Sequence, residues 1–87
     1  MKLKEGFIPH MVEDEMMIVG TGSSGFNGVV RTNKTGAFIV EKLKEETTRQ
    51  EILDAMIEHY EGASLELMER DLDRMLVQLL DIGALDG

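Results

Sequence analysis

Three features of this 87-residue sequence predict an α+β chain in which three antiparallel strands precede three helices. Residues 7 to 31 hold β-formers in short runs broken by turn residues, without helical spacing. After Arg31 the apolar residues recur at threes and fours. Cap signals at Asn33, Thr48 and Ser64 then divide the second half into three helical segments. A sheet with one face on three helices is a winged-helix-like arrangement, strands first and helix bundle second.

The first strand is read over Phe7-Ile8-Pro9-His10-Met11-Val12, the second over Met16-Met17-Ile18-Val19 and the third over Gly28-Val29-Val30-Arg31, which Phe26 and Asn27 can extend. Glu13-Asp14-Glu15 reads as a tight hairpin between the first two. Pro9 has no ladder donor, so the first strand is expected either to lie at an edge or to be broken near that point. The stretch Gly20-Thr21-Gly22-Ser23-Ser24-Gly25 is expected as a flexible loop. Asn33 can cap a helix running to about Glu45, with Gly36, Ile39, Val40 and Leu43 on one face. Thr48 and Glu51 form a capping-box pattern for a second helix, which turns Ile52, Leu53, Met56, Ile57 and Tyr60 inward and ends at Gly62. Ser64 can cap a third, longer helix with Leu65, Met68, Leu72, Leu76 and Leu79 inward and Gly83 as its stop.

No internal repeat or linker appears, so residues 1–87 fit one domain with a modest core, too small for a large enclosed active site. The absence of Cys excludes disulfide staples and thiolate metal sites and suits a reducing cytoplasm. Apolar runs such as Ala37 to Val40 fall far short of the roughly 20 residues that span a bilayer, and Lys2 and Lys4 are not followed by an apolar segment. The expectation is a cytoplasmic protein without a membrane partner. Seventeen acidic residues against nine basic give a net charge of −8, which repels nucleic acid and favours solubility or a basic partner.

The Gly20–Gly25 stretch matches the dinucleotide-binding fingerprint letter for letter, but a phosphate loop must open a helix, and another strand is expected here. His10 and His59 lack metal-ligand spacing, and His59 suits a helix C-terminus. Asp71 and Asp73 diverge by about 200° on a helix and cannot converge on one substrate atom. No nucleophile–base pair, metal cluster or cofactor motif supports catalysis, so no enzyme activity and no cofactor are expected. On the third helix Leu67, Asp71, Met75, Gln78 and Ile82 widen the flank beyond its core stripe and can wall a groove, with Leu67 the hardest to bury. The seven Met residues read as core more readily than as a pliable binding surface. Phe38, well off the inward stripe of its helix, is expected to pack on the sheet.

Three blocks carry a family resemblance: Thr32-Asn33-Lys34-Thr35-Gly36-Ala37-Phe38-Ile39; Thr47-Thr48-Arg49-Gln50-Glu51-Ile52-Leu53 leading to His59-Tyr60; and Asp71, Leu76, Leu79 and Leu80 with Gly83-Ala84-Leu85. From about Leu3 to Leu85 the chain resembles the PQQ-biosynthesis protein D family, small domains also called RiPP recognition elements. Val40 departs from the pattern, since relatives often carry an aromatic there, and the Gly/Ser-rich loop is longer in small residues. The resemblance implies a non-catalytic chaperone for a ribosomally made precursor peptide: it binds the leader segment and presents it to a modifying enzyme, often a radical SAM maturase. PQQ biosynthesis is one such setting; sactipeptide and lasso-peptide systems are others. It further implies that the leader adds as a strand beside Asn27, Gly28, Val29, Val30 and Arg31 and lies against Leu67, Asp71, Arg74, Met75 and Gln78 of the third helix.

Two competing readings remain at this level. A winged-helix DNA-binding or regulatory domain would need a basic recognition helix, whereas the third helix holds Glu66, Glu69, Asp71, Asp73 and Asp81 against Arg70 and Arg74. An adaptor without a peptide ligand is the other, because an unpaired third strand can pair with a second copy to form a homodimer.

Overall fold

Side-chain alternation in the first two long strands decides where the sheet packs. The computed structural model describes residues 1–22, 25 and 28–86. Strand β1 spans Lys2–Leu3, β2 Phe7–Val12, β3 Glu15–Gly20 and β4 Val29–Thr32. Helices α1 (Lys34–Lys42), α2 (Arg49–His59) and α3 (Leu65–Asp81) follow, and β5 (Leu85–Asp86) ends the order. β2, β3 and β4 form an antiparallel sheet with β3 in the middle, pairing Ile8 with Val19 and Val19 with Val29. Phe7, Met16, Ile18 and Val30 fall on one face and are buried, as the period of two requires. That face meets Ile39, Val40 and Leu43 of α1, then Ile52, Leu53 and Met56 of α2 and Met68, Leu72, Met75, Leu76 and Leu79 of α3, in one hydrophobic core. The winged-helix-like α+β order is the one expected.

The helix ends follow their caps. Asn33 Oδ1 accepts the Gly36 N–H at 3.0 Å, and Thr48 Oγ1 accepts the Glu51 N–H at 3.1 Å. Ser64 Oγ accepts from Leu67 N–H at 3.4 Å. At the far end of α3, Gly83 takes φ +72°, its N–H donates to the Leu80 carbonyl and the Ala84 N–H to the Leu79 carbonyl, with Ala84 and Leu79 packed together out of solvent. That bond pair with its apolar contact is a Schellman C-terminus.

Several expectations need correcting. α1 ends at Lys42 rather than near Glu45, because the Leu43 N–H tightens onto Val40 O at 3.0 Å while its carbonyl accepts the Leu3 N–H at 2.8 Å. β1 therefore stops the helix, and it pairs antiparallel with β5 in a two-stranded ribbon that joins opposite ends of the chain. Ile57 and Leu65, expected inward, are exposed: each lies at the margin of its helix's buried stripe, one near the end of α2 and one in the first turn of α3. Phe38, half-buried against the core, also stacks on His59 with ring centroids 4.6 Å apart and meets Tyr60 edge-on at 5.5 Å, so the end of α2 adds partners that spacing does not indicate. The hairpin loop is two residues, Glu13 and Asp14, with Glu13 at φ +57°. Of the expected flexible loop, Ser23 and Ser24 lie outside the described residues; β4, not a helix, follows it.

Candidate functional site

The sheet has two unlike edges. Gly20 N–H donates to Gly28 O at 3.2 Å and Thr21 N–H to Gly6 O at 2.7 Å, each one step beyond the last Cα pair of its ladder, Val19–Val29 and Phe7–Gly20. Bonding alternates along an antiparallel strand, so the even residues of β3 bond to β4 and the odd ones to β2. On β4 the N–H and C=O groups of Val29 and Arg31 consequently point out of the sheet, and among the described residues nothing pairs with them. On β2 the outward residues are Phe7, Pro9 and Met11. Phe7 N–H is taken by Lys4 O at 3.4 Å and Pro9 has no N–H, so that edge is blunted. Pro9 thus sits at an edge, as its chemistry requires.

Beside the open edge, where β4 runs into α1, lies a cleft of about 90 Å³. One wall is Thr32, Asn33, Thr35 and Gly36; the other is Asp71, Arg74, Met75 and Gln78 of α3. Gly36 makes this wall possible. A Cβ at that position would lie 2.8 Å from Thr32 Cβ and Cγ2 and would fall on Thr32 Oγ1, so only glycine lets α1 approach the end of β4 so closely. Met75 is buried at the cleft base, while Asp71, Arg74 and Gln78 are exposed, and among the described residues none of the three forms an ion pair or side-chain hydrogen bond. Asp73 points elsewhere: its carboxylate accepts Arg49 Nε at 2.7 Å and Nη2 at 3.0 Å, tying the start of α2 to α3. That guanidinium holds the Asp73 carboxyl below the usual carboxylate range.

The structure gathers Asp71, Arg74, Met75 and Gln78 in one cleft, with Val29 and Arg31 presenting backbone groups at the adjoining edge. Gly28 and Val30 turn their backbone groups to β3, and the Val30 side chain is buried. Leu67 is exposed one turn before Asp71, outside the cleft lining, and Asn27 lies outside the described residues. Thr32, Asn33, Thr35 and Gly36 also line the cleft, and spacing does not mark them; a glycine in the first turn of a helix is the available signal. Among the described residues no group of His, Asp or Glu is placed to hold a metal ion, and no helix is long and apolar enough to cross a membrane.

A small sheet with one open edge over a helix-walled cleft is a frame for holding an extended chain. The family model for Coenzyme PQQ synthesis protein D (PqqD) matches residues 15–85, and the chain belongs to that family. Two solved structures share the fold. One is described as TbiB1 in complex with the TbiA(beta) leader peptide: TM-score 0.79, 24% identity, covering 100% of this chain and 96% of the other. The second is a lasso peptide synthetase B1 complexed with the leader peptide: TM-score 0.72, 19% identity, covering 95% and 93%. Comparison with curated proteins gave no match.

Proposed function

We propose that this chain is a non-catalytic recognition domain that takes the leader segment of a ribosomally made precursor peptide as an added strand on β4 and presents it to a modifying enzyme, such as a radical SAM maturase. The observation that carries the reading is the outward backbone of Val29 and Arg31 beside the α3 cleft. Membership of the PqqD family and the leader-bound state of both solved neighbours support it. α3 carries an acidic balance of side chains, which disfavours a major-groove role.

Magnitudes say what the cleft must do. Four outward backbone groups at about 0.5–1.5 kcal/mol each contribute about 2–6 kcal/mol. Micromolar binding needs about 8 kcal/mol net, after the ordering of a flexible peptide has been offset. Backbone pairing alone falls short, so side chains seated against Asp71, Arg74, Met75 and Gln78 supply the remainder and the selection. The test is Val29→Pro. It removes one outward N–H that β3 does not use, so the fold is kept while leader affinity, read by fluorescence anisotropy with the leader encoded beside the gene, drops about tenfold or more. Unchanged affinity in a folded Val29→Pro protein would overturn strand addition on β4.

A further inference from the structure

The outer face of the sheet, away from the helices, carries a row of β-branched residues that the core does not use. Ile8, Val19 and Val29 are cross-strand neighbours and are 54%, 36% and 53% exposed. The next row is His10, Met17 and Arg31. Both rows run to the open edge of β4 and stop there. Arg31 is exposed and among the described residues has no ion-pair partner, in a chain whose net charge is −8.

Resting on the strand-addition reading above, we infer that this outer face selects the leader sequence. Val29 and Arg31 are the residues whose backbone groups meet the peptide, so the peptide residues directly opposite them lie on the same outer face, and the residue between turns into the cleft. The sheet is antiparallel throughout, and an added antiparallel strand meets Arg31 first and Val29 two residues later. The recognised segment is therefore an acidic residue, then any residue that fits the cleft, then a β-branched apolar residue. The carboxylate pairs with Arg31. The β-branched side chain extends the Ile8–Val19–Val29 row and covers the exposed Val29. The cleft reads one side of the peptide and the bare sheet reads the other.

The experiment is a selection from a display library of random twelve-residue peptides against the wild-type domain and, in parallel, Arg31→Glu. Enriched peptides are then synthesised and titrated into isotope-labelled protein. Wild type is expected to enrich Asp or Glu two positions before Val or Ile; Arg31→Glu is expected to enrich Lys or Arg at the first position and keep the second. Alanine at either position should weaken binding about two- to fivefold. Peptides that protect the Val29 and Arg31 amides without this pattern would overturn the inference and leave strand addition standing. Peptides that bind without protecting those amides, or no enrichment at all, would overturn the strand-addition reading itself.

Discussion

Gly36→Ala is predicted to destabilise the junction between β4 and α1, although alanine is the better helix former. A Cβ there would sit 2.8 Å from both Thr32 Cβ and Cγ2 and on Thr32 Oγ1. Rotation about χ1 of Thr32 moves Oγ1 and Cγ2 but not Cβ, so part of the clash persists in every rotamer. Overpacking of this kind costs about 1–3 kcal/mol, against a propensity gain of up to about 1 kcal/mol. The net loss lies between about 0 and 3 kcal/mol, and its centre at about 1.5 kcal/mol corresponds to a fall of roughly 6–12 °C in Tm for a domain of this size. Thr32→Ala removes Oγ1 and Cγ2, leaving one short contact, so the double variant should recover part of the loss, with a coupling of about 0.5–2 kcal/mol in its favour. Urea unfolding of the four proteins in the cycle measures this. A Gly36→Ala protein more stable than the parent, or a coupling of zero, would refute the close approach that builds the cleft wall.

Other consequences can be checked with the same protein. Asp73 has its folded pKa lowered by Arg49, so the stability from that pair is complete above the ordinary carboxylate pKa of about 4 and is lost as pH falls through the lower folded value. Asp73→Asn should accordingly flatten the acid limb of stability against pH; denaturation midpoints that fall as steeply as the parent's would contradict it. Glu13→Gly relieves a left-handed backbone in the two-residue hairpin loop and should gain about 0.5–1 kcal/mol; a loss in urea would show that the turn is not held at positive φ. Leu72→Ala empties a fully buried site in α3 and should cost about 2–5 kcal/mol, whereas the exposed Leu67→Ala should lie within about 0.5 kcal/mol of the parent.

What was legible in the sequence is what local chemistry decides. The caps at Asn33, Thr48 and Ser64 and the stop at Gly83 are each set by neighbours in the chain, whereas α2 ends at His59, ahead of Gly62. The ribbon of β1 and β5 was not legible, because two-residue strands show no periodicity and their partners lie at opposite ends of the chain. The same ribbon set the end of α1, so that error followed from the first. On α3, spacing puts Leu67, Asp71, Met75, Gln78 and Ile82 on one flank and the family resemblance adds Arg74; the structure lines the cleft with Asp71, Arg74, Met75 and Gln78. Spacing could not separate Leu67 from them, because only the position of α1 and β4 decides where the cleft stops. The residue-level alternation on β4, with Val29 and Arg31 outward and Gly28 and Val30 inward, depends on the register with β3, which no local signal carries.

The most direct test of the central claim is amide hydrogen exchange, residue by residue, with and without the leader peptide. Strand addition predicts an alternating response: the Val29 and Arg31 amides, which face outward in the free protein, gain protection, while Val30, already bonded to β3, changes little beyond the overall stabilisation by ligand. Saturating leader that leaves Val29 and Arg31 exchanging as in the free protein would contradict the account.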